Sequence, residues 1–248
     1  LRIGGRWILT ADHCAAGSDH EILVDGESHP ATVWVRTDDS AVDLALLLAE
    51  GLDVSSHLKF GQIVSQNVVH LRDCSALGFP VWKSSLGQPA MAQASGYVPT
   101  AEGTLPDGTA PIATFKITDP EARAQETAVG LLEGPSSLWA GMSGAVVVDE
   151  FDIVVGVIRS HNLIEGPNSL SITPLSAIST RDPAVRDLFL EAFELISCDQ
   201  LIPLPYDPSD ETTARLRRVK ELEQTDLIHH EAAIKLHVHI VLVEFGLK

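Results

Sequence analysis

Between Arg6 and about Thr173 the chain is a succession of short apolar or alternating runs, broken by Gly, Pro, Asp and Ser. That texture predicts a mainly β fold, a sandwich or a barrel. Strands are expected at Arg6–Thr10, Glu21–Val24, Ala31–Thr37, Val42–Leu48, Asn67–Leu71, Met91–Tyr97, Pro111–Thr118, Glu126–Leu132, Ala145–Asp149, Ile153–Ile158 and Leu170–Thr173. The cleanest alternation is Ala113-Thr114-Phe115-Lys116-Ile117-Thr118, which sends Ala113, Phe115 and Ile117 to one face and the polar residues to the other. Leu1 to Thr10 already reads as the middle of a β-hairpin, so a partial chain is expected, with its true start elsewhere.

After Pro174 the period changes. Asp182-Pro183 is an N-cap followed by proline at the first helical position, and Val185, Leu188, Phe189, Ala192, Phe193 and Ile196 then recur at helical spacing. This helix is expected to close the β-domain. Leu201–Asp210 reads as a linker rich in proline and aspartate, Asp210–Gln224 as a charged helix with a thin apolar stripe, and Ile234–Phe245 as the start of something further. The division expected is 1–195 for the β-domain and 196–248 for linker, charged helix and the beginning of a second module.

Composition removes several function classes. Against 34 acidic residues there are 17 basic ones, a net charge of −17 with neutral histidines, which leaves little from which to build a face for nucleic acid. At 45% hydrophobic residues over 248 positions the chain can bury a real core. No apolar run approaches the roughly 18 residues of a spanning helix, so a membrane partner is not expected. Up to residue 180 there are 9 basic and 21 acidic residues, so the charge lies mainly on the β-domain and disfavours a polyanionic substrate. Three cysteines, Cys14, Cys74 and Cys198, cannot all pair within one chain. They point to a reducing compartment such as the cytoplasm, or to a partner cysteine outside the chain.

Three segments carry chemistry: Leu9-Thr10-Ala11-Asp12-His13-Cys14, Val42-Asp43-Leu44-Ala45-Leu46-Leu47 and Gly141-Met142-Ser143-Gly144-Ala145-Val146. Serine hydrolysis needs a base within reach of a weakly nucleophilic hydroxyl and a carboxylate that fixes the base's tautomer. His13 follows an apolar strand at a turn, Asp43 opens an apolar strand where a carboxylate needs a partner, and Ser143 lies between glycines. Those glycines let the amides of Gly141 and Ser143 converge as an oxyanion hole. Each piece alone has a plain structural explanation; their order and spacing, His, then Asp about 30 residues on, then Ser about 100 later, do not.

Thr10-Ala11-Asp12-His13-Cys14, Asp43-Leu44-Ala45-Leu46 and Gly141-Met142-Ser143-Gly144 together resemble the chymotrypsin-like, or trypsin-fold, serine peptidases over roughly residues 1 to 195, in the manner of bacterial members. Ala76-Leu77-Gly78-Phe79-Pro80 looks like the approach to that fold's second barrel, and Ile153–Ile158 like the strand beside bound substrate. The resemblance implies two six-stranded antiparallel β-barrels, the first N-terminally truncated here, and a C-terminal helical extension. It implies a serine endopeptidase with His13, Asp43 and Ser143 as its triad, working through an acyl-enzyme on a protein or peptide substrate, with no metal or organic cofactor. The rivals are a non-catalytic scaffold that keeps the barrels for binding, and an esterase on the same machinery. By analogy with bacterial chains of this kind, the second module is expected to be a signalling or NTPase module.

Where many members carry aspartate before the nucleophile to receive a freed N-terminus, this chain has Met142, so that mode of activation is not expected. Asp12 stands where alanine is usual; a solvent-facing side chain is expected, the alternative being a carboxylate that raises the His13 pKa. The resemblance places the base of the primary pocket near Ser137, which disfavours cleavage after Arg or Lys. Arg159, Ser160 and His161 follow the substrate-side strand and are taken with Ser137 as substrate-binding positions, although an exposed loop histidine is the plainer reading of His161. Cys14 matches a position that in secreted members pairs with a cysteine on the preceding strand. In the tail, His229, His230, Glu231, His237 and His239 form a poor match to any zinc motif and are not read as a metal site.

Overall fold

In a computed structural model the structure describes residues 2–4, 6–24, 27–52, 58–64, 70–83, 90–100, 103–104, 111–119 and 139–204. The expected strand at Glu126–Leu132, Ser137, the charged helix and the histidines of the tail lie outside the described residues.

The first sheet has five strands: β1 (Arg2–Gly4), β2 (Trp7–Thr10), β3 (His20–Val24), β4 (Glu27–Arg36) and β5 (Ala45–Ala49), ordered β1-β2-β5-β4-β3 with antiparallel neighbours. The hairpin read at the start of the sequence is β1 and β2, which pair at Gly4 and Trp7. The second sheet contains β6 (Lys59–Ile63), β7 (His70–Gly78), β8 (Ala92–Pro99), β9 (Gly103–Thr104), β10 (Pro111–Ile117), β11 (Val146–Val148), β12 (Ile153–His161), β13 (Ser169–Pro174) and β14 (Ile202–Leu204). Pairing of β11 with both β7 and β12 closes β11-β7-β8-β10-β13-β12 into a six-stranded antiparallel barrel. Outside the ring, β6 runs parallel to β12, and β14 parallel to β6. The mainly β expectation therefore holds, with one closed barrel and one half-barrel sheet.

The strands that read as continuous apolar runs are buried on both faces. On β5, Ala45, Leu47 and Ala49 belong to the first sheet's own core, whereas Leu46 packs into a second core between the two sheets. On β12, Ile153, Val155 and Ile158 face the closed barrel's interior and Val154 and Val157 face the same intersheet core. A strand with core on both sides has no reason to alternate polar residues. By contrast β10 is half-buried as its sequence predicts: Ala113, Phe115 and Ile117 are buried and Thr114 and Lys116 are not.

Helix α1 (Pro183–Ala192) begins as read, with the Asp182 carboxylate accepting from the Ala184 amide and Pro183 in the first turn. Phe189, Leu190, Ala192 and Phe193 seal the intersheet core, where the Phe193 ring stacks on Phe60 at 4.3 Å. The helix stops at Ala192, so Ile196 leaves the stripe and is 89% exposed. The segment read as linker begins with structure: Leu201 and Leu204 are buried and β14 adds to the second sheet's edge.

Candidate active site

His13 sits in a 3-10 turn, Asp12–Ala15, directly after β2. The turn is seated by the Cys14 amide donating to the Ala11 carbonyl at 3.1 Å and by the burial of Ala11 and Ala15. Asp43 comes from the turn that joins β4 to β5. Thr37 and Leu44 close that turn from both ends, the Thr37 amide on the Leu44 carbonyl at 3.0 Å and the Leu44 amide on the Thr37 hydroxyl at 3.1 Å. Inside it the amides of Val42 and Asp43 both donate to the Asp39 carbonyl. Asp43 itself takes a left-handed backbone with φ 43°, a conformation that aspartate tolerates better than most residues.

The two side chains meet. His13 Nδ1 lies 2.9 Å and 3.0 Å from the two Asp43 carboxylate oxygens, and the His13 amide donates to Asp43 Oδ1 at 2.9 Å. One buried carboxylate thus fixes the histidine by main chain and ring together, leaving Nε2 to face outward. Cys14 Sγ stands 3.5 Å from Nε2. The Asp43 hydrogen bond first, and the Cys14 contact second, outweigh burial and push the imidazole up to about 10 from its ordinary 6.5.

Ser143 comes from the other sheet. Its turn is cradled by Gly78–Val81: the Phe79 amide donates to Gly141 O at 3.2 Å and the Val81 amide to Ala140 O at 2.9 Å. Met142, at the position before Ser143, is buried against Gly78, where a Cβ would come within 2.5 Å of the methionine sulfur. The turn's own bonds run from the Met142 amide to Trp139 O and from the Ala145 amide to Met142 O. The amides of Gly141 and Ser143 take no part in them. Gly141 and Gly144 both have left-handed φ, 90° and 82°. A Cβ on Gly144 would lie 2.4 Å from Thr10 Oγ1 and 3.6 Å from Cys14 Sγ, so this glycine is where the serine turn meets the histidine strand.

The Ser143 hydroxyl donates to the Arg159 carbonyl at 3.1 Å; among the described residues it is not hydrogen-bonded to His13.

The other sequence candidates fall as follows. Ser137 lies outside the described residues. Arg159 sends its guanidinium across to the Asp43 turn of the first sheet, and His161 Nε2 is 2.7 Å from the Pro167 carbonyl. Ser160 is exposed on β12. Asp12 departs from the solvent-facing expectation: it is buried and ion-paired with Arg36 of β4, and it is not among the causes of the His13 shift. The Arg36 partner was 24 positions away, with no local signal to reveal it. Among the described residues all three cysteines are free, and no group of three or more His, Cys, Asp or Glu side chains is placed to hold a metal.

A fold of one closed six-stranded barrel and one half-barrel, with His and Asp on the first sheet and Ser on the second, defines a class. Residues 2–157 match the trypsin-like peptidase domain, and the chain belongs to that family. Among solved structures it is similar to the Rv3671c protease of M. tuberculosis. The active form of that protease is 17% identical at a TM-score of 0.51, over 79% of this chain and 72% of that one; the inactive form is 18% identical at 0.51, over 72% and 78%. A Glu endopeptidase in complex with MPD is 16% identical at 0.49, over 77% of this chain and 83% of the other. At such identities the likeness is one of fold. No curated protein sequence matches the chain.

Proposed function

We propose that the chain is a serine endopeptidase in which Ser143 is the nucleophile, His13 the general base and then acid, and Asp43 the group that orients the imidazole. The observation that carries this reading is the Asp43 carboxylate held on His13 Nδ1 at 2.9 Å, in a site where Gly144 brings the Ser143 turn into contact with Thr10 and Cys14.

The chemistry follows from those positions. Ser143 Oγ leaves the Arg159 carbonyl and attacks the scissile carbonyl while Nε2 takes its proton. The oxyanion that forms is stabilised by the amides of Gly141 and Ser143, an arrangement whose individual donors are typically worth about 10² to 10³ in kcat. The imidazolium, stabilised by Asp43, gives its proton to the leaving amine. Water then attacks the acyl-enzyme with His13 as base, and Ser143 is regenerated. Since a base works only when neutral, the raised His13 pKa places the activity on the alkaline side.

The substrate is a protein or peptide, and the acidic surface disfavours polyanions. The test is hydrolysis of an unstructured protein substrate by the wild type and by Ser143→Ala. Peptide bond cleavage by the first alone is expected. Ester hydrolysis without peptide hydrolysis would move the reading to an esterase, and neither activity in a folded chain would move it to a binding scaffold.

A further inference from the structure

Arg159 lies on β12 of the closed barrel, yet its side chain crosses to the first sheet. Its guanidinium donates to the Ala41 carbonyl at 3.2 Å and to the Ser40 carbonyl, and its Nε is 4.0 Å from Asp43 Oδ2. The side chain is 15% exposed. Its main-chain carbonyl meanwhile accepts the Ser143 hydroxyl, so a single residue touches the serine with its backbone and the aspartate turn with its head group. A mostly buried arginine is costly unless its donors are met. Here two of them are met by carbonyls fixed in one turn, and the charge lies 4.0 Å from the carboxylate that holds His13.

We propose that Arg159 is a positioning residue, locking the Ser40–Asp43 turn of the first sheet onto the second barrel so that Asp43 stays aligned on His13 as Ser143 works from the opposite side. The assignment rests on the triad reading above and moves Arg159 from the substrate-contacting role expected of its position to a role exercised through Asp43. The same turn has a second tether. Arg181, just ahead of α1, is ion-paired with Asp39, whose carbonyl carries the amides of Val42 and Asp43. Both tethers arise from the C-terminal half of the described chain, which makes the geometry of the His–Asp pair depend on the docking of the two sheets. A misplacement of about 1 Å in such a group is enough to cost on the order of 10² in rate.

The test compares Arg159→Met and Arg159→Lys in two readouts. For peptide hydrolysis, Arg159→Met is expected to lower kcat about ten- to a hundredfold with KM changed far less. Arg159→Lys, which keeps a cation but loses the fork, recovers part of that loss. The second readout is the NMR titration of the His13 ring in a Ser143→Ala background, which does not require turnover. Losing the cation beside Asp43 raises the His13 titration by on the order of half a unit, and Arg159→Lys leaves it in place. The other titratable and charged groups nearby, Cys14, Asp38, the Asp12–Arg36 pair and the Asp39–Arg181 pair, are the same in both variants. A rise in KM at unchanged kcat would return Arg159 to substrate contact and overturn the proposal. So would a His13 titration that ignores Arg159→Met. Should Arg159→Met not fold, Arg159→Lys decides alone, since kcat unchanged from wild type would show that the two-carbonyl fork does no positioning. If the titration responds but no variant and no wild type cleaves peptide, the peptidase reading fails while the positioning of His13 through Asp43 stands.

Discussion

Asp43→Asn isolates the charge that Asp43 places on His13 while keeping an acceptor of the same size for the His13 amide. A histidine whose folded pKa is raised contributes stability that is fully present below its unfolded pKa, near 6.5, and is lost as pH climbs through the folded value. For His13 that upper value is about 10. Taken whole, the shift would be worth roughly 5 kcal/mol at about 1.36 kcal/mol per unit. The side chain is 50% exposed, however, and solvent-exposed ion pairs contribute only about 0.2–1 kcal/mol. The expected advantage of the wild type over Asp43→Asn from this source is therefore about 1 kcal/mol, the upper end of that range, near pH 6. Urea unfolding of both proteins at intervals from about pH 6 to about pH 10 reads it directly, and the gap should narrow steadily across that window. A gap that stays constant, or one that widens with pH, would show that Asp43 does not hold His13 in its charged form and would refute the argument.

Cys14→Ala removes a contact that raises the His13 pKa, so the acid limb of the kcat/KM profile should move to lower pH, and a limb that stays in place would show that the sulfur does not act on Nε2. Gly144→Ala puts a Cβ 2.4 Å from Thr10 Oγ1 on a left-handed backbone; it should cost about 1–3 kcal/mol in thermal unfolding and depress kcat as the serine turn is pushed off the histidine strand. Met142→Ala empties a fully buried site against Gly78 and should destabilise by about 2–5 kcal/mol, read by denaturant titration.

What the sequence showed best were features with a local cause. The alternation of β10, the Asp182-Pro183 helix start and the three motif segments are each written in consecutive residues, and the histidine and aspartate that stood 30 positions apart came together. What stayed hidden has its cause elsewhere in the chain. Lys59-Phe60-Gly61-Gln62-Ile63 carries no strand pattern; it becomes β6 because Gly61 lets Leu204 approach to where a Cβ would stand, 2.4 Å away, and because β12 offers a parallel edge. β14 contains Pro203, tolerable only because it lies at the sheet's edge. Ile196 kept helical spacing in the sequence, but nothing local announced that the helix stops at Ala192. The burial of Asp12 depends on Arg36, and the direction of Arg159 on carbonyls 118 and 119 positions away. Side chains that reach across the intersheet interface leave no periodic trace.

The central claim is that Ser143 is a nucleophile activated by His13. A fluorophosphonate that reacts only with an activated serine tests it most directly, with the adduct located by peptide mass mapping of the wild type, Ser143→Ala and His13→Ala. The account predicts a single adduct on the peptide carrying Ser143, absent from Ser143→Ala and strongly reduced in His13→Ala. A folded wild-type chain that takes no label, or one whose label sits elsewhere and survives Ser143→Ala, would contradict it.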